Sequence, residues 1–149
     1  MAGNAAIYIV DPSMMRSKVF DKIPDVLKYT DLSKGNQAVG LQFTLKNRTI
    51  AMNFMPTDQI GQHLKGLSGW VQQVLADKDK DQLMYILAKI HYVQLVIGCV
   101  IEPGFDKSGE AETFLFNFNA QLHGLLFTSN TLFDFDGAPI AGMMYDARK

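Results

Sequence analysis

Tyr92–Ile101 reads YVQLVIGCVI, and the fold turns on this stretch. From Leu95 onward it shows no apolar–polar alternation. Successive strand residues point to opposite faces, so a run that is apolar at consecutive positions is a strand covered on both sides. The segment is therefore expected at the centre of a sheet.

Upstream, Ala5–Val10 (AAIYIV) is a second short run of β-formers. It stops at Asp11-Pro12, a capping residue followed by a proline suited to the first helical position. Met15, Val19, Phe20 and Ile23 then recur at helical spacing, and Pro24 ends that helix. Asp31–Gln37 (DLSKGNQ) reads as a polar loop. Val39–Thr44 and Thr49–Met55 flank LKNR and predict a hairpin. Past Pro56, a stripe at Ile60, Leu64, Leu67, Val71, Val74 and Leu75 predicts a long helix. The polar stretch Asp77–Asp81 (DKDKD) separates it from a second helix over Asp81–Ile90.

Downstream, Pro103-Gly104 turns the chain, and Ser108 can cap a helix with Glu110 and Glu112 in its first turn, where acidic residues suit the dipole. Its buried stripe is Ala111, Leu115, Phe118 and Leu122, and Gly124 supplies the stop. Leu125–Thr128 is a core strand. Thr131–Phe135 and Ala138–Ala141 form a hairpin around Asp136-Gly137, a favoured two-residue turn. The expectation is a single α+β domain over residues 1–149 in the order βα-ββ-αα-β-α-β-ββ. Its sheet is expected to be mixed but largely antiparallel, with helices mainly on one face.

Composition narrows the function classes. With 149 residues the chain can bury about two thirds of its unfolded surface and needs no staple. The hydrophobic fraction of 48% against a charged fraction of 19% leaves apolar surface for a deep core, for a partner protein or for a homodimer. Fourteen basic and fifteen acidic residues are scattered without a basic run, so no nucleic-acid partner is expected. No apolar stretch approaches the ~20 residues of a membrane span, and Met1–Val10 lacks the basic and apolar regions of a secretory leader; the cytoplasm is the expected compartment.

The conspicuous polar residues carry little chemistry. Asp77, Asp79 and Asp81 open like a calcium loop, but Gln82 and Ala88 stand where that loop needs Gly and Glu. Cys99 lies within an apolar strand with no charge to activate it. His63, His91 and His123 form no local ligand pair, and the latter two sit at helix C-termini, where an imidazole suits the dipole. No cofactor and no metal is expected. A polar site could still assemble in space from His63, Asp134 and Asp136. Gly61, Gly66 and Gly69 lie inside a helix, where each costs about 1 kcal/mol relative to Ala. They imply close approach of another element, either the sheet or a partner. Gly66, Gly69 and the adjacent Trp70, together with Phe116, which leaves the Phe114–Phe118 side of its helix, are the candidate partner-binding residues.

Two stretches support a resemblance. GLSGWVQQV (Gly66–Val74), leading through a helix pair into YVQLVIGCVIE (Tyr92–Glu102), and Gly124-Leu125-Leu126-Phe127 before the Asp136-Gly137 turn, resemble over residues 40–141 the N-terminal region of a group of uncharacterised bacterial proteins classed as a domain of unknown function. Members of that group resemble accessory and immunity-type proteins of polymorphic toxin systems. The resemblance implies a non-catalytic protein-interaction module and supplies no catalytic residues. The alternative is a small-molecule-binding domain, or an enzyme, whose polar groups meet only in three dimensions.

Overall fold

A computed structural model describes residues 2–35, 37–75 and 79–147. Strand β1 (Gly3–Ile9) leads through a 3-10 turn (Pro12–Met14) and a short helix α1 (Ser17–Phe20) to β2 (Lys28–Lys34), β3 (Gln37–Thr44) and β4 (Thr49–Phe54). Helices α2 (Thr57–Leu75) and α3 (Lys80–His91) precede β5 (Leu95–Glu102). Then come α4 (Glu110–Leu122), β6 (Leu125–Thr128), β7 (Thr131–Phe133), β8 (Pro139–Gly142) and α5 (Met143–Ala147). Among the described residues the strands form one sheet in the order β2-β3-β4-β5-β1-β6-β7-β8.

The α+β class is as the sequence reads. YVQLVIGCVI does supply an interior strand, with Ile97 paired to Ile7 on one side and Phe54 on the other. Every described pairing is antiparallel, where a mixed sheet was expected. The helices also divide between the faces and do not gather on one. Ile7, Ile9, Ile97, Cys99 and Ile101 face Phe114, Phe118 and Leu122 of α4, joined by Phe20 and Ile23. Tyr8, Val96, Leu125 and Leu132 face α2 and α3 through Val71, Leu75, Ile86 and Ile90. The cause is the absence of alternation in β1 and β5: a strand apolar at consecutive positions needs cover on both sides.

Two further expectations are corrected at the N-terminal side. The helix read from Met15 to Ile23 shrinks to the four residues of α1, because Asp11 and Pro12 build a separate 3-10 turn in which the Asp11 carboxylate accepts from the Ser13 N–H. The polar loop Asp31–Gln37 is instead largely strand, within β2 and the start of β3. β2 forms the sheet edge, where backbone pairing with β3 suffices and only Tyr29 and Leu32 are half-buried, so it carries no apolar alternation. Lys28 and Lys34 guard an edge that would otherwise template further pairing. Helix α5 was not anticipated; its first N–H groups are received by the Asn130 carbonyl and the Thr131 hydroxyl.

Arg48, in the turn between β3 and β4, is the most deeply buried cation. Its Nε donates to Glu110 Oε1 and its Nη2 to Asp106 Oδ2, each at 2.6 Å, and its Nη1 donates to the Gly104 carbonyl. The fork joins the hairpin to the first turn of α4. Removing the guanidinium strands Glu110, whose side chain is 14% exposed, whereas Asp106, at 52%, can turn to water. Arg48→Met is therefore expected to lower unfolding free energy by about 3 kcal/mol; a loss below about 1 kcal/mol in urea titration would show that solvent already screens the cluster.

The glycines of α2 do not mark a close approach, contrary to the sequence reading. A Cβ added at Gly61, Gly66 or Gly69 meets nothing within 4 Å, and all three residues are exposed. Alanine at each should raise stability by about 1 kcal/mol, seen as a later urea midpoint. Gly124 is the contrast: a Cβ there would lie 2.7 Å from Asn119 Oδ1 and 2.8 Å from the Tyr8 carbonyl. Gly124→Ala should destabilise by about 1–3 kcal/mol.

Candidate functional site

Where β1 ends, three helical ends converge. Val10 and Asp11 continue from β1, Met14 comes from the 3-10 turn, Lys89 and Tyr92 from the end of α3, Leu122 and His123 from the end of α4, and Phe135 from the turn between β7 and β8. Together they line an open, mainly apolar hollow of about 500 Å³.

Two of its lining residues, Lys89 and Phe135, are tied together by Asp134, a buried carboxylate. Oδ1 receives the Lys89 ammonium at 2.7 Å and the Phe135 N–H at 2.8 Å, and Oδ2 receives the Tyr85 hydroxyl at 2.5 Å. Burial pushes this carboxyl up, but the hydrogen bonds from Lys89, Tyr85 and the Phe135 N–H, with the charge of Lys89, outweigh it and hold it below its ordinary value. Phe135 has two neighbours among the lining residues. The His123 imidazole stacks on it at 5.0 Å and 12°, and the Lys89 ammonium lies 4.8 Å from its ring centre. His123 adopts a left-handed backbone, φ 52°, at the C-cap of α4. A non-glycine residue pays roughly 1 kcal/mol or more there. The rim is aromatic: Tyr92 is 65% exposed and Phe135 37%.

A second, smaller hollow of about 290 Å³ lies between α2 and the sheet, lined by Tyr8, Gln62, His63, Gly66, Leu67, Trp70 and Phe127. The Tyr8 hydroxyl and His63 Nε2 share a hydrogen bond of 2.9 Å, and Trp70 meets Phe127 edge to face at 5.1 Å.

The residues singled out in the sequence are thus distributed. Trp70 and Gly66 share the second hollow with His63, and Gly69 lies exposed on the same helix. Phe116 is half-buried, with its ring 4.9 Å from Phe133 and nearly perpendicular to it. His63 does not meet the aspartates: Asp134 is bonded to Tyr85 and Lys89 of α3, and Asp136 Oδ1 accepts the Ala138 N–H at 3.0 Å in the hairpin turn. Of the Asp77–Asp81 stretch, residues 77 and 78 lie outside the described residues; Asp79 caps α3, accepting from the Gln82 N–H and from the Tyr145 hydroxyl. Among the described residues no group of three or more His, Cys, Asp or Glu is placed to hold a metal ion, and no helix is long and apolar enough to cross a membrane. Sequence reasoning missed Tyr85, Lys89 and Tyr92. Their spacing of four and three was the available signal, since it sets them along one face of α3 and its cap.

Three groups give this architecture an alkaline limit. Burial raises the Tyr8 phenol and the Cys99 thiol to about 12, and Tyr85 reaches about 12 through burial, then its bond to Asp134 and the charges of Asp134 and Asp136. Each keeps its proton in the folded chain above the pH at which the unfolded chain releases it. The stability they contribute is therefore complete below the ordinary values of 9.0 and 10.0 and disappears as pH rises toward 12. The urea midpoint should fall steadily across this window, less steeply in Tyr85→Phe, Cys99→Ala; a flat midpoint would contradict the assignment.

No protein-family model, curated protein or solved structure matches this chain.

Proposed function

We propose that this chain is a non-catalytic protein-interaction module, and that its recognition surface is the aromatic-rimmed hollow where β1, α3 and α4 end. One observation carries the reading: the hollow is apolar and open, and the two charged side chains that line it, Lys89 and Asp11, are already engaged by Asp134 and Ser13. A small-molecule or catalytic site keeps a few convergent polar atoms to orient its ligand. Here Lys89 is engaged by Asp134, the Asp11 carboxylate accepts from the N–H and hydroxyl of Ser13, and the His123 ring lies flat on Phe135. What remains is a concave apolar seat with tyrosine at its rim, the composition of an interface anchor pocket. Its occupant is an apolar side chain of a partner protein, in the regulatory or immunity-type role that the resemblance implies.

His123→Gly and Tyr92→Ala test the surface. Glycine relieves the left-handed backbone at position 123 and should leave stability equal or higher. Tyr92 is largely exposed, so its loss should cost the fold within about 0.5 kcal/mol. A stoichiometric partner isolated with the native chain should bind each variant about tenfold more weakly or worse, by titration calorimetry. Equal affinity for native chain and variants, with a loss confined to Trp70→Ala, would move the interface to α2 and overturn this assignment.

A further inference from the structure

The second hollow has a chemistry the first lacks, and it shares no lining residue with the first. Four π systems line it: the indole of Trp70, the phenyl of Phe127, the phenol of Tyr8 and the imidazole of His63. Trp70 and Phe127 stand at 80° to each other, whereas Tyr8 and His63 lie within 28° of parallel. A flat heteroaromatic ligand needs two parallel walls facing each other across a slot. Here the rings contact each other in pairs, Trp70 with Phe127 at 5.1 Å and Tyr8 with His63 at 5.6 Å, so no slot lies between them and the space they border suits a compact, rounded group.

Charge then narrows the occupant. No Lys, Arg, Asp or Glu lines the hollow. Lys65, one position before Gly66, lines a different hollow, with Gly61, Ser68 and His91. The Tyr8 hydroxyl and His63 Nε2 satisfy each other, and burial holds the phenol protonated, so this wall offers no full negative charge. The attraction left is that of aromatic faces for a cation, strongest for indole. A cation held without a carboxylate must also be weakly hydrated, which favours a methylated ammonium over a bare one. At about 290 Å³, the space of about ten waters, the hollow admits such a headgroup. Gly66 lines the hollow, and a Cβ at this position would meet no atom within 4 Å, so a larger side chain there has room to extend over it.

We infer that the hollow formed by Trp70, Phe127, Tyr8 and His63 is a binding site for the quaternary ammonium group of a small solute. Trp70 is the chain's single tryptophan, so its emission reports on the site directly. Titration with choline chloride, against sodium chloride at equal ionic strength, should give a saturable change in emission with a millimolar midpoint. The neutral isostere 3,3-dimethylbutan-1-ol should bind about tenfold more weakly. Gly66→Leu, which keeps the reporter and covers the hollow, should abolish saturation while leaving thermal unfolding unchanged or later. Phe127→Leu should weaken choline about tenfold. Equal binding of choline and its neutral isostere would show an apolar niche and overturn the cation assignment. No saturable response to choline in the folded native chain would overturn the site altogether, as would undiminished binding by a folded Gly66→Leu variant.

Discussion

Everything else in the structure is arranged around one constraint: β1 and β5 are apolar at consecutive positions, so the middle of the sheet must be kept dry on both faces. One layer of helix could satisfy only half of that requirement. The chain meets it by sending α2 and α3 across one face and α1 and α4 across the other, which gives two apolar clusters separated by the sheet and no continuous core. The surplus of apolar residues over charged ones is thereby largely accounted for without an interface. What is left for recognition is the periphery, where helical ends and turns meet the sheet.

Two ion clusters fix that periphery, and they differ in kind. Arg48 is a buried cation with three acceptors, one of them a backbone carbonyl, and it ties the β3–β4 turn to the start of α4. Asp134 is a buried anion with three donors, and it ties the β7–β8 turn to α3. In each case a full charge is removed from water, and the penalty is met by several hydrogen bonds aimed at the same group. Such clusters do little for total stability compared with replacement of all their members by apolar side chains, yet they set the position of what is attached to them. Asp134 places Lys89 over Phe135 and so shapes the first hollow. The shape of this hollow is therefore set by contacts within the chain.

The legible parts of the sequence were those where periodicity and burial coincide. The hairpin of β3 and β4, the stripe of α2 and the boundaries of β6 could be read because each buries a regular face or sits between strong turn residues. β2 could not be read that way: an edge strand is held by its backbone, and KYTDLSK leaves no apolar pattern to detect. The division of helices between two faces was implicit in YVQLVIGCVI, since double burial demands double cover. The sites were less legible than the fold. Asp134 was singled out for a turn motif, whereas its importance comes from Lys89 and Tyr85, 45 and 49 positions away. His63 found Tyr8, 55 positions away, where an aspartate had been expected. Contacts of that separation depend on the sheet order, which no local pattern encodes.

The helical glycines make the same point in reverse. Their cost was visible in the sequence, and close packing was the natural compensation, yet the space around Gly61, Gly66 and Gly69 is open. His123 likewise occupies a left-handed position at which glycine would be unstrained. Neither feature is compensated by a contact that requires it: the imidazole stacks on Phe135 at an exposed rim, and the glycines bury nothing. Sequences break local rules without local compensation chiefly at functional sites, because stability is forgone only where another requirement opposes it. Gly66 lines the hollow beneath Trp70, and His123 lines the one beside Tyr92. Both of these departures from local propensity thus fall on hollows that the packing of helices on the sheet leaves open.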